Sequence, residues 1–296
     1  MLVIILAKAY VFGENSMKTL EKQNRLVFLL SVAMNIVFMA GFLFICGWKW
    51  NAITTRFEKA FRKFQPSEKV LSTFNKEPYM FVNEKELFSS DAPTVSILFL
   101  GNSLTYTGVP EEEADKTPRG LTSTAKEKDY VHLLVKRIST EKRVNVNYSL
   151  TNIADFERHF QEAELDFSRF ENATVQNPDY VIFQIGENVI DEQLSTTELE
   201  NLFVERYTNV VKHFVNAKKI ICLPWWQNAK KNMLITQVAI NSNAYLVDIS
   251  HLGNGLDKRN FAEFYKKYKV PGVGTHPSDF GFQNIADCLW TVFNAE

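Results

Sequence analysis

Three polar side chains in this sequence are of the types that acyl transfer through a serine requires. Ser103 lies in the run GNSLTY, Asn188 in GENV and His276 in GTHPSD. A serine hydroxyl becomes a nucleophile when a neighbouring imidazole removes its proton. The backbone N–H of Ser103 and the side-chain amide of Asn188 can donate hydrogen bonds to the oxyanion that then forms. The three residues therefore predict a hydrolase, with Ser103 as nucleophile and His276 as general base.

The elements around these residues have the pattern of an α/β protein. Short runs rich in Val, Ile, Leu and Phe predict buried strands, at residues 95–100, 144–149, 180–185, 219–223 and 245–249. Helical patterns lie between and after these runs, at about 125–140, 155–170, 196–217, 228–240, 258–268 and 278–294. Because strands and helices alternate, the pattern predicts a parallel sheet with helices on both faces.

Such a sheet explains how residues far apart in the sequence come together. Sites in parallel sheets lie at the carboxyl ends of the strands. Ser103 follows the first predicted strand, Asn188 follows the third, and His276 directly precedes the last helix. We therefore expect the three side chains to meet at one edge of the sheet. The G-x-S-x-G elbow of the α/β-hydrolases is absent, since Ser103 is followed by Leu104 and Thr105.

The sequence resembles the bacterial SGNH/GDSL hydrolases. The runs FLGNSLTY, VIFQIGENV and GTHPSDFGF are similar to the first, third and last blocks of that family, and the similarity extends from about Val95 to the C-terminus. The resemblance implies a three-layer α/β/α sandwich with a flavodoxin-like sheet. It also implies ester hydrolysis through a serine acyl-enzyme, without a metal or cofactor. By position, Ser103 matches the nucleophile, Asn188 the oxyanion amide and His276 the base.

The sequence departs from this family at two positions. The family usually places an aspartate three residues before the histidine, and that residue is Val273 here. Either a Ser-His dyad operates, or another carboxylate orients the imidazole, with Asp279 and Glu187 as the alternatives. The family's second block also supplies a glycine N–H to the oxyanion hole. The matching stretch, LTNIA, has no glycine, and we predict that Asn152 takes this place.

An apolar segment precedes the α/β region. Residues 26–48 contain no charged side chain over 23 residues, which is enough for a helix to cross a hydrocarbon core of ~30 Å. The prediction divides the chain into an N-terminal segment 1–25, a transmembrane helix 26–48, a juxtamembrane stalk 49–92 and an SGNH hydrolase-like domain 93–296. Flanking basic residues slightly favour a cytoplasmic C-terminal side, but an N-terminal anchor usually exports the domain that follows it. We expect an extracytoplasmic domain, and the sequence leaves open whether translation starts at Met1 or Met17.

The overall composition excludes several other classes of protein. The 296 residues include 33 Lys and Arg against 34 Asp and Glu, so charge gives no reason to expect a nucleic-acid partner. Hydrophobic residues at 46% and charged residues at 23% are typical of a globular protein. The three cysteines, Cys46, Cys222 and Cys288, form no C-x-x-C pair. A disulfide scaffold and a zinc ribbon are therefore excluded, and the five histidines lack metal-ligand spacing.

Three functions remain open from the sequence. The first is a membrane-anchored serine esterase that removes an acyl group, such as acetyl, from an ester or an acylated carbohydrate of the cell envelope. The second is an O-acyltransferase that uses the same site on a cell-envelope glycan. The third is a degenerate, non-catalytic glycan-binding module, against which the retention of Ser103, Asn188 and His276 argues. Trp225 and Trp226 follow the fourth strand and either line a substrate cleft or pack as part of a loop.

Overall fold

The computed structural model describes residues 78–107, 117–265, 268 and 272–295 of the protein. The N-terminal segment 1–25, the predicted membrane helix 26–48 and the stalk up to residue 77 lie outside these described residues. Among the helices that are described, none combines the length and the apolar character needed to cross a membrane.

A six-stranded sheet forms the centre of the described residues. Its strands are β1 Val82–Glu86, β2 Thr94–Gly101, β3 Asn145–Asn152, β4 Tyr180–Gln184, β5 Lys218–Cys222 and β6 Tyr245–Val247. They lie side by side in the order β1-β3-β2-β4-β5-β6. Strands β2 to β6 are parallel, and β1 pairs antiparallel with β3 at the edge. Without β1 the order is that of a flavodoxin-like sheet, which confirms the predicted α/β class and all five predicted strands.

Helices cover both faces of the sheet. The described α-helices are α1 Tyr130–Lys142, α2 Ala154–His159, α3 Thr197–His213, α4 Ala229–Ser242 and α5 Asp279–Asn294. On one face, Phe99 of β2 shares an apolar cluster with Phe282 of α5 and with side chains of α1. On the other face, Leu98 belongs to a second cluster with Phe203 of α3 and Ile235 of α4. Neighbouring strand residues point to opposite faces, and the result is a three-layer α/β/α sandwich.

The predicted helix at 155–170 is wrong in length. Helix α2 ends at His159, and a separate 3-10 turn follows at Phe167–Phe170. Asp166 starts this second turn, because its carboxylate accepts a hydrogen bond from the N–H of Ser168 at 2.9 Å. Such a cap stabilises a new helical start.

The predicted helix at 258–268 is also wrong. This segment contains two 3-10 turns, Lys258–Asn260 and Ala262–Tyr265. Between them Phe261 is extended, with φ −105° and ψ 139°, and it forms a bridge with Pro277. An extended residue in this position ends any continuous helix.

The domain begins earlier than the predicted boundary at residue 93. Strand β1 lies inside the predicted stalk 49–92, and its Val82 pairs with Leu150 of β3. Thr151 Oγ1 also donates to the carbonyl of Met80 at 2.7 Å. The sequence of β1, VNEKE, alternates between half-buried and exposed residues. It carries little apolar signal because it is an edge strand, so hydrophobic patterning does not detect it.

A histidine between two carboxylates joins β1 to α1. His132 Nδ1 lies 2.7 Å from Oδ1 of Asp129, and Nε2 lies 3.5 Å from Oε2 of Glu84. Glu84 also accepts hydrogen bonds from Tyr148 of β3, at 2.6 Å, and from Lys126. Burial lowers the pKa of His132, but the bonds to both carboxylates outweigh it and raise the pKa to about 9. The bond with His132 in turn lowers the pKa of Glu84 to about 2, against the effect of burial.

Replacing His132 by glutamine should reduce the free energy of unfolding by about 2 kcal/mol near pH 6. Removing one partner of a fully buried ion pair costs ~3–5 kcal/mol, and Glu84 is partly exposed. A raised histidine pKa stabilises the fold below about 6.5, and this contribution is lost as the pH rises through about 9. The lowered pKa of Glu84 stabilises above about 4.5, and that contribution is lost towards pH 2. Denaturant unfolding of the wild type and of His132→Gln between pH 4 and 10 would measure the difference in the free energy of unfolding. A difference that does not change with pH would contradict a stabilisation by charged His132 and Glu84.

Candidate active site

The carboxyl ends of β2, β3 and β4 lie level with one another. Gly101, at the end of β2, is opposite Asn152 of β3 on one side and Gln184 of β4 on the other. Strand β3 lies on one side of β2, and the next strand in the chain, β4, lies on the other side. The strand order therefore reverses between β2 and β4, and ligands bind at such a switch point. The loops after β2 and β4 flank it. Ser103 is in the first of these loops and Asn188 in the second.

A tight turn after β2 presents Ser103. Asn102 is fully buried, and its Oδ1 accepts a hydrogen bond from the N–H of Leu104 at 3.1 Å. Its carbonyl accepts another from the N–H of Thr105 at 3.0 Å. A side chain at Gly101 would not fit, because a Cβ there would lie 1.8 Å from Thr105 Oγ1. The glycine and the buried amide thus form the turn that leaves Ser103 partly exposed at the sheet edge.

Ser103 and His276 are in contact. Ser103 Oγ lies 3.1 Å from His276 Nε2, and His276 Nδ1 lies 2.8 Å from the carbonyl oxygen of Gly272. A carbonyl only accepts, so Nδ1 carries the proton and Nε2 presents its lone pair to the serine hydroxyl. Burial lowers the pKa of His276, and this outweighs the opposing effect of the carbonyls of Gly272 and Val273. The ring is therefore neutral at pH 7 and can accept the serine proton.

Neither carboxylate predicted to orient the imidazole does so in the structure. Asp279 accepts hydrogen bonds from the N–H and Oγ1 of Thr124 and from Nζ of Lys128, and so ties the start of α5 to the residues before α1. Glu187 accepts from three nitrogen donors, none of which belongs to His276. Within the described residues, the partner of Nδ1 is the carbonyl of Gly272. Of the two predicted arrangements, the geometry is that of a Ser-His dyad.

The two adjacent tryptophans lie in different environments. Trp225 is fully buried, and its Nε1 donates to the carbonyl of Thr275 at 3.1 Å. Trp225 therefore supports the loop that carries His276, so of the two alternatives it packs as part of a loop and does not line a cleft. Trp226 is partly exposed, and its ring stands edge-on to the imidazole of His276, at 5.0 Å between centroids and an angle of 84°.

The side chain of Asn188 is fixed on both of its polar atoms. Nδ2 donates to Oε2 of Glu157 at 2.5 Å, and Oδ1 accepts from Arg158 at 2.9 Å. Because an amide nitrogen carries two hydrogens, one N–H of Asn188 remains for an oxyanion. The backbone N–H of Ser103 has no acceptor among the described residues, so it provides a second donor.

Asn152 does not have the position predicted for an oxyanion donor. Its Nδ2 donates to the carbonyl of Tyr106 at 2.8 Å, and its Oδ1 accepts from the N–H of Ala154 at 2.9 Å. The N–H of the next residue, Ile153, donates to Gly101 of β2. Since successive N–H groups of a strand point to opposite sides, the Asn152 N–H is directed towards the β1 edge and away from Ser103.

Glu187 pairs next to the site with a second carboxylate, Glu157, which sequence reasoning missed. Glu157 of α2 and Glu187 both accept hydrogen bonds from Nδ2 of Asn102, at 3.2 and 2.6 Å. Burial, followed by repulsion from Glu187, raises the pKa of Glu157 to about 7. Burial also raises the pKa of Glu187. Glu157 lies on the helix predicted at 155–170, and a glutamate on a predicted helix gives no sign that it faces the interior.

The described part of the chain contains no cluster of three or more His, Cys, Asp or Glu side chains that could hold a metal ion. Cys222 and Cys288 are free thiols. Burial raises the pKa of both thiols, so neither is a ready nucleophile.

Comparisons with known proteins find similarity to several solved structures at low sequence identity. No protein-family model and no curated protein sequence matches the chain. Among solved structures, the acetyl xylan esterase AlAXEase is 18% identical, with 67% of this chain and 99% of that chain covered and a TM-score of 0.41. A protein named as a GDSL-like lipase from Parabacteroides merdae is 14% identical, with 69% and 98% covered and a TM-score of 0.45. The lipase/acylhydrolase from Enterococcus faecalis is 14% identical, with 68% and 96% covered and a TM-score of 0.44. At these identities and TM-scores the likeness assigns no activity, so function has to be inferred from the site.

Proposed function

We propose that the protein is a membrane-anchored serine esterase of the SGNH/GDSL type that hydrolyses an acyl ester. The observation that carries this proposal is the 3.1 Å contact between Ser103 Oγ and His276 Nε2, in a ring whose other nitrogen is bound to a carbonyl. This tautomer has its lone pair on the atom that faces the hydroxyl. A serine in such a contact is activated for attack on a carbonyl carbon.

Acylation follows directly from this contact. Ser103 Oγ bonds to the ester carbonyl carbon while its proton moves to His276 Nε2. The carbonyl oxygen becomes an oxyanion and accepts hydrogen bonds from the Ser103 N–H and the Asn188 amide. The carbon–oxygen bond to the alcohol then breaks, and His276 returns the proton to the departing alkoxide. The product is an acyl group on Ser103 and a free alcohol.

Deacylation repeats these steps with water as the nucleophile. His276 takes a proton from water, the hydroxide attacks the acyl carbon, and the Ser103 oxygen leaves with the proton of the imidazolium. An O-acyltransferase would differ only in using a sugar hydroxyl in place of water. The two activities are distinguished by their products, a free acid or an acylated sugar.

We propose an acylated carbohydrate of the cell envelope as the substrate class, with acetyl as the acyl group. Trp226 supports this, because its partly exposed ring stands at the imidazole that protonates the leaving alcohol. An aromatic face at this position can pack against a sugar ring. The likeness to an acetyl xylan esterase is consistent with this choice but adds no weight to it.

The anchor is part of the same proposal. Residues 26–48 supply an uncharged apolar segment long enough for one membrane span. We propose that this segment holds the α/β domain at the outer side of the membrane, where envelope carbohydrates are found.

A fluorophosphonate probe applied to membranes that contain the full-length protein would test the proposal. The Ser103 oxygen should bond to phosphorus with loss of fluoride, because this adduct resembles the tetrahedral intermediate. We expect one modified residue, Ser103, in peptide mass spectra, and hydrolysis of p-nitrophenyl acetate by the unmodified protein. The labelled protein should stay in the membrane pellet after alkaline carbonate extraction and dissolve in detergent.

Each readout contradicts a different part of the proposal. A folded protein that neither reacts with the probe nor hydrolyses the ester would instead favour a non-catalytic module. Labelling without release of acetate, but with acetyl transfer to an added sugar, would favour the acyltransferase. Release of the labelled protein by carbonate would contradict the membrane anchor and leave the esterase in place.

A further inference from the structure

Glu157 is the most deeply buried carboxylate at the site, with 1% of its surface exposed. All the hydrogen bonds that it makes come from N–H groups of the two loops at the switch point. Oε1 accepts from the N–H of Gly186 and from Nδ2 of Asn102, the residue before Ser103. Oε2 accepts from Nδ2 of Asn188 at 2.5 Å. One carboxylate therefore joins the loop of the nucleophile to the amide that faces the oxyanion.

The backbone around Gly186 is shaped to make this contact. Its φ is +131°, a conformation that favours glycine. A Cβ at this position would lie 2.7 Å from Cδ1 of Ile235 and 2.9 Å from Cγ of Pro224. The N–H of Gly186 can therefore turn towards Glu157 only because no side chain is present.

Glu187 completes the pair from the other side of Asn102. It accepts from Asn102 Nδ2 at 2.6 Å, from Gln184 Nε2 at 2.6 Å and from the N–H of Trp225 at 2.7 Å. Glu187 has no hydrogen bond to Asn188 in the described residues. The two carboxylates thus differ in function, since only Glu157 of this pair accepts a hydrogen bond from the Asn188 amide.

Two positively charged side chains near the pair nearly balance the two negative charges of the ionised carboxylates. Lys231 of α4 is buried against the carbonyls of Gly186 and Val189, at 3.1 and 3.0 Å, and it lowers the pKa of Glu187. Arg158 of α2 bonds to Asn188. The remaining titratable neighbours are neutral at pH 7, because burial raises their pKa values: Tyr207 of α3, Tyr130 of α1 and Cys222 of β5.

We propose that Glu157 is the positioning residue of the oxyanion hole, and that the Glu157–Glu187 pair must be ionised for Asn188 to be held in its donating orientation. The inference rests on the proposed esterase. A carboxylate accepts from several N–H groups at once, whereas a protonated carboxyl presents an O–H to groups that can only donate. Protonation at Oε2 therefore removes the acceptor of Asn188 Nδ2, and the bond from Arg158 to Oδ1 does not by itself hold the amide in its donating orientation.

The pair gives the enzyme a pH dependence separate from that of His276. Burial and repulsion from Glu187 place the pKa of Glu157 at about 7, whereas burial holds that of His276 below its usual value. Activity should therefore decline below about pH 7, where the pair, which titrates as a unit, takes up a proton.

Steady-state hydrolysis of p-nitrophenyl acetate by the full-length protein and its variants would test this role. Glu157→Gln should lower kcat about 100-fold with little change in KM, which is the effect of losing one oxyanion donor. The double variant Glu157→Gln/Asn188→Ala should be no slower than Asn188→Ala, because Glu157 acts through Asn188. Glu187→Gln removes the repulsion, so the acid limb of kcat/KM should move to lower pH.

Asp155→Asn is the matched control. Asp155 is also buried on α2, where it pairs with Arg169 at 2.6 Å, but it makes no contact with Asn188. This variant should lose stability and keep both the wild-type kcat and the wild-type pH profile. If Glu157→Gln does not fold, the Glu187→Gln profile still decides the question, and a profile unchanged from wild type overturns the proposal.

The failures of the two proposals are distinguishable. If the wild type is active, two results overturn the positioning role alone. One is a kcat of Glu157→Gln equal to that of the wild type, and the other is additive effects of Glu157→Gln and Asn188→Ala on kcat. An inert wild type that does not react with the phosphonate probe overturns the esterase and this inference with it.

Discussion

Replacing Ser103 by alanine is expected to lower kcat for p-nitrophenyl acetate by about 10⁴-fold or more. The change removes the atom that bonds to the acyl carbon, so hydrolysis can no longer proceed through an acyl-enzyme. The fold should be unaffected, because the turn is formed by Asn102 and Gly101 and not by the serine hydroxyl. Ester hydrolysis by purified full-length protein, with circular dichroism as a check on folding, measures the effect.

Ser195→Ala provides the matched serine control. Ser195 is exposed and ends the 3-10 turn at Asp191–Leu194, so its loss should leave kcat at the wild-type value. If Ser103→Ala keeps more than about a tenth of the wild-type rate, another group is the nucleophile. In that case the Ser103–His276 contact would have to be explained as a structural hydrogen bond.

Hydrophobic patterning was sufficient to predict the central strands of the sheet but not its edge strand β1. The strands that contain Phe99 and Ile182 are buried on both faces, so their apolar runs are continuous and easy to identify. In strand β1, every residue other than Val82 is polar or charged. It is recognised only through its pairing with β3, which no local pattern encodes.

The same difference between local and non-local information applies to the site. Ser103, Asn188 and His276 were identified because they directly follow strands or precede a helix, and an α/β topology brings such positions together. Glu157 lies within a helix, and its inward direction depends on how α2 packs on β2 and β4. The short length of α2 was not predicted either, because the cap at Asp166 competes with continuation of the helix.

A backbone carbonyl, and neither of the candidate carboxylates Asp279 and Glu187, orients His276. Gly272 has a φ of +90°, and its carbonyl accepts from both Nδ1 of His276 and Oγ1 of Thr275. A carbonyl fixes the tautomer as a carboxylate does. However, it supplies a dipole in place of a full charge, so it stabilises the imidazolium less. A buried imidazole with a neutral partner is a weaker base, which agrees with its lowered pKa.

The second large effect is expected for His276→Ala, which should lower kcat by about 10³-fold. General-base catalysis typically contributes ~10²–10⁴-fold, and the serine hydroxyl is a poor nucleophile without it. Residues that act as a unit have non-additive effects, so Ser103→Ala/His276→Ala should be no slower than Ser103→Ala. Added imidazole should restore part of the activity of His276→Ala, because the space left by the ring adjoins Ser103 and the partly exposed Trp226.

His251→Ala is the control for this prediction, since His251 is exposed and has no contact with Ser103. It should match the wild type at every pH. Rescue by imidazole distinguishes a variant that lacks only the general base from one in which the loop that carries residue 276 has collapsed. A variant with a collapsed loop does not respond to imidazole. A His276→Ala protein that keeps its full rate would show that Ser103 needs no base, and the dyad would then be structural. A variant that is slow, rescued by imidazole and unchanged in unfolding temperature would establish His276 as the group that accepts the serine proton.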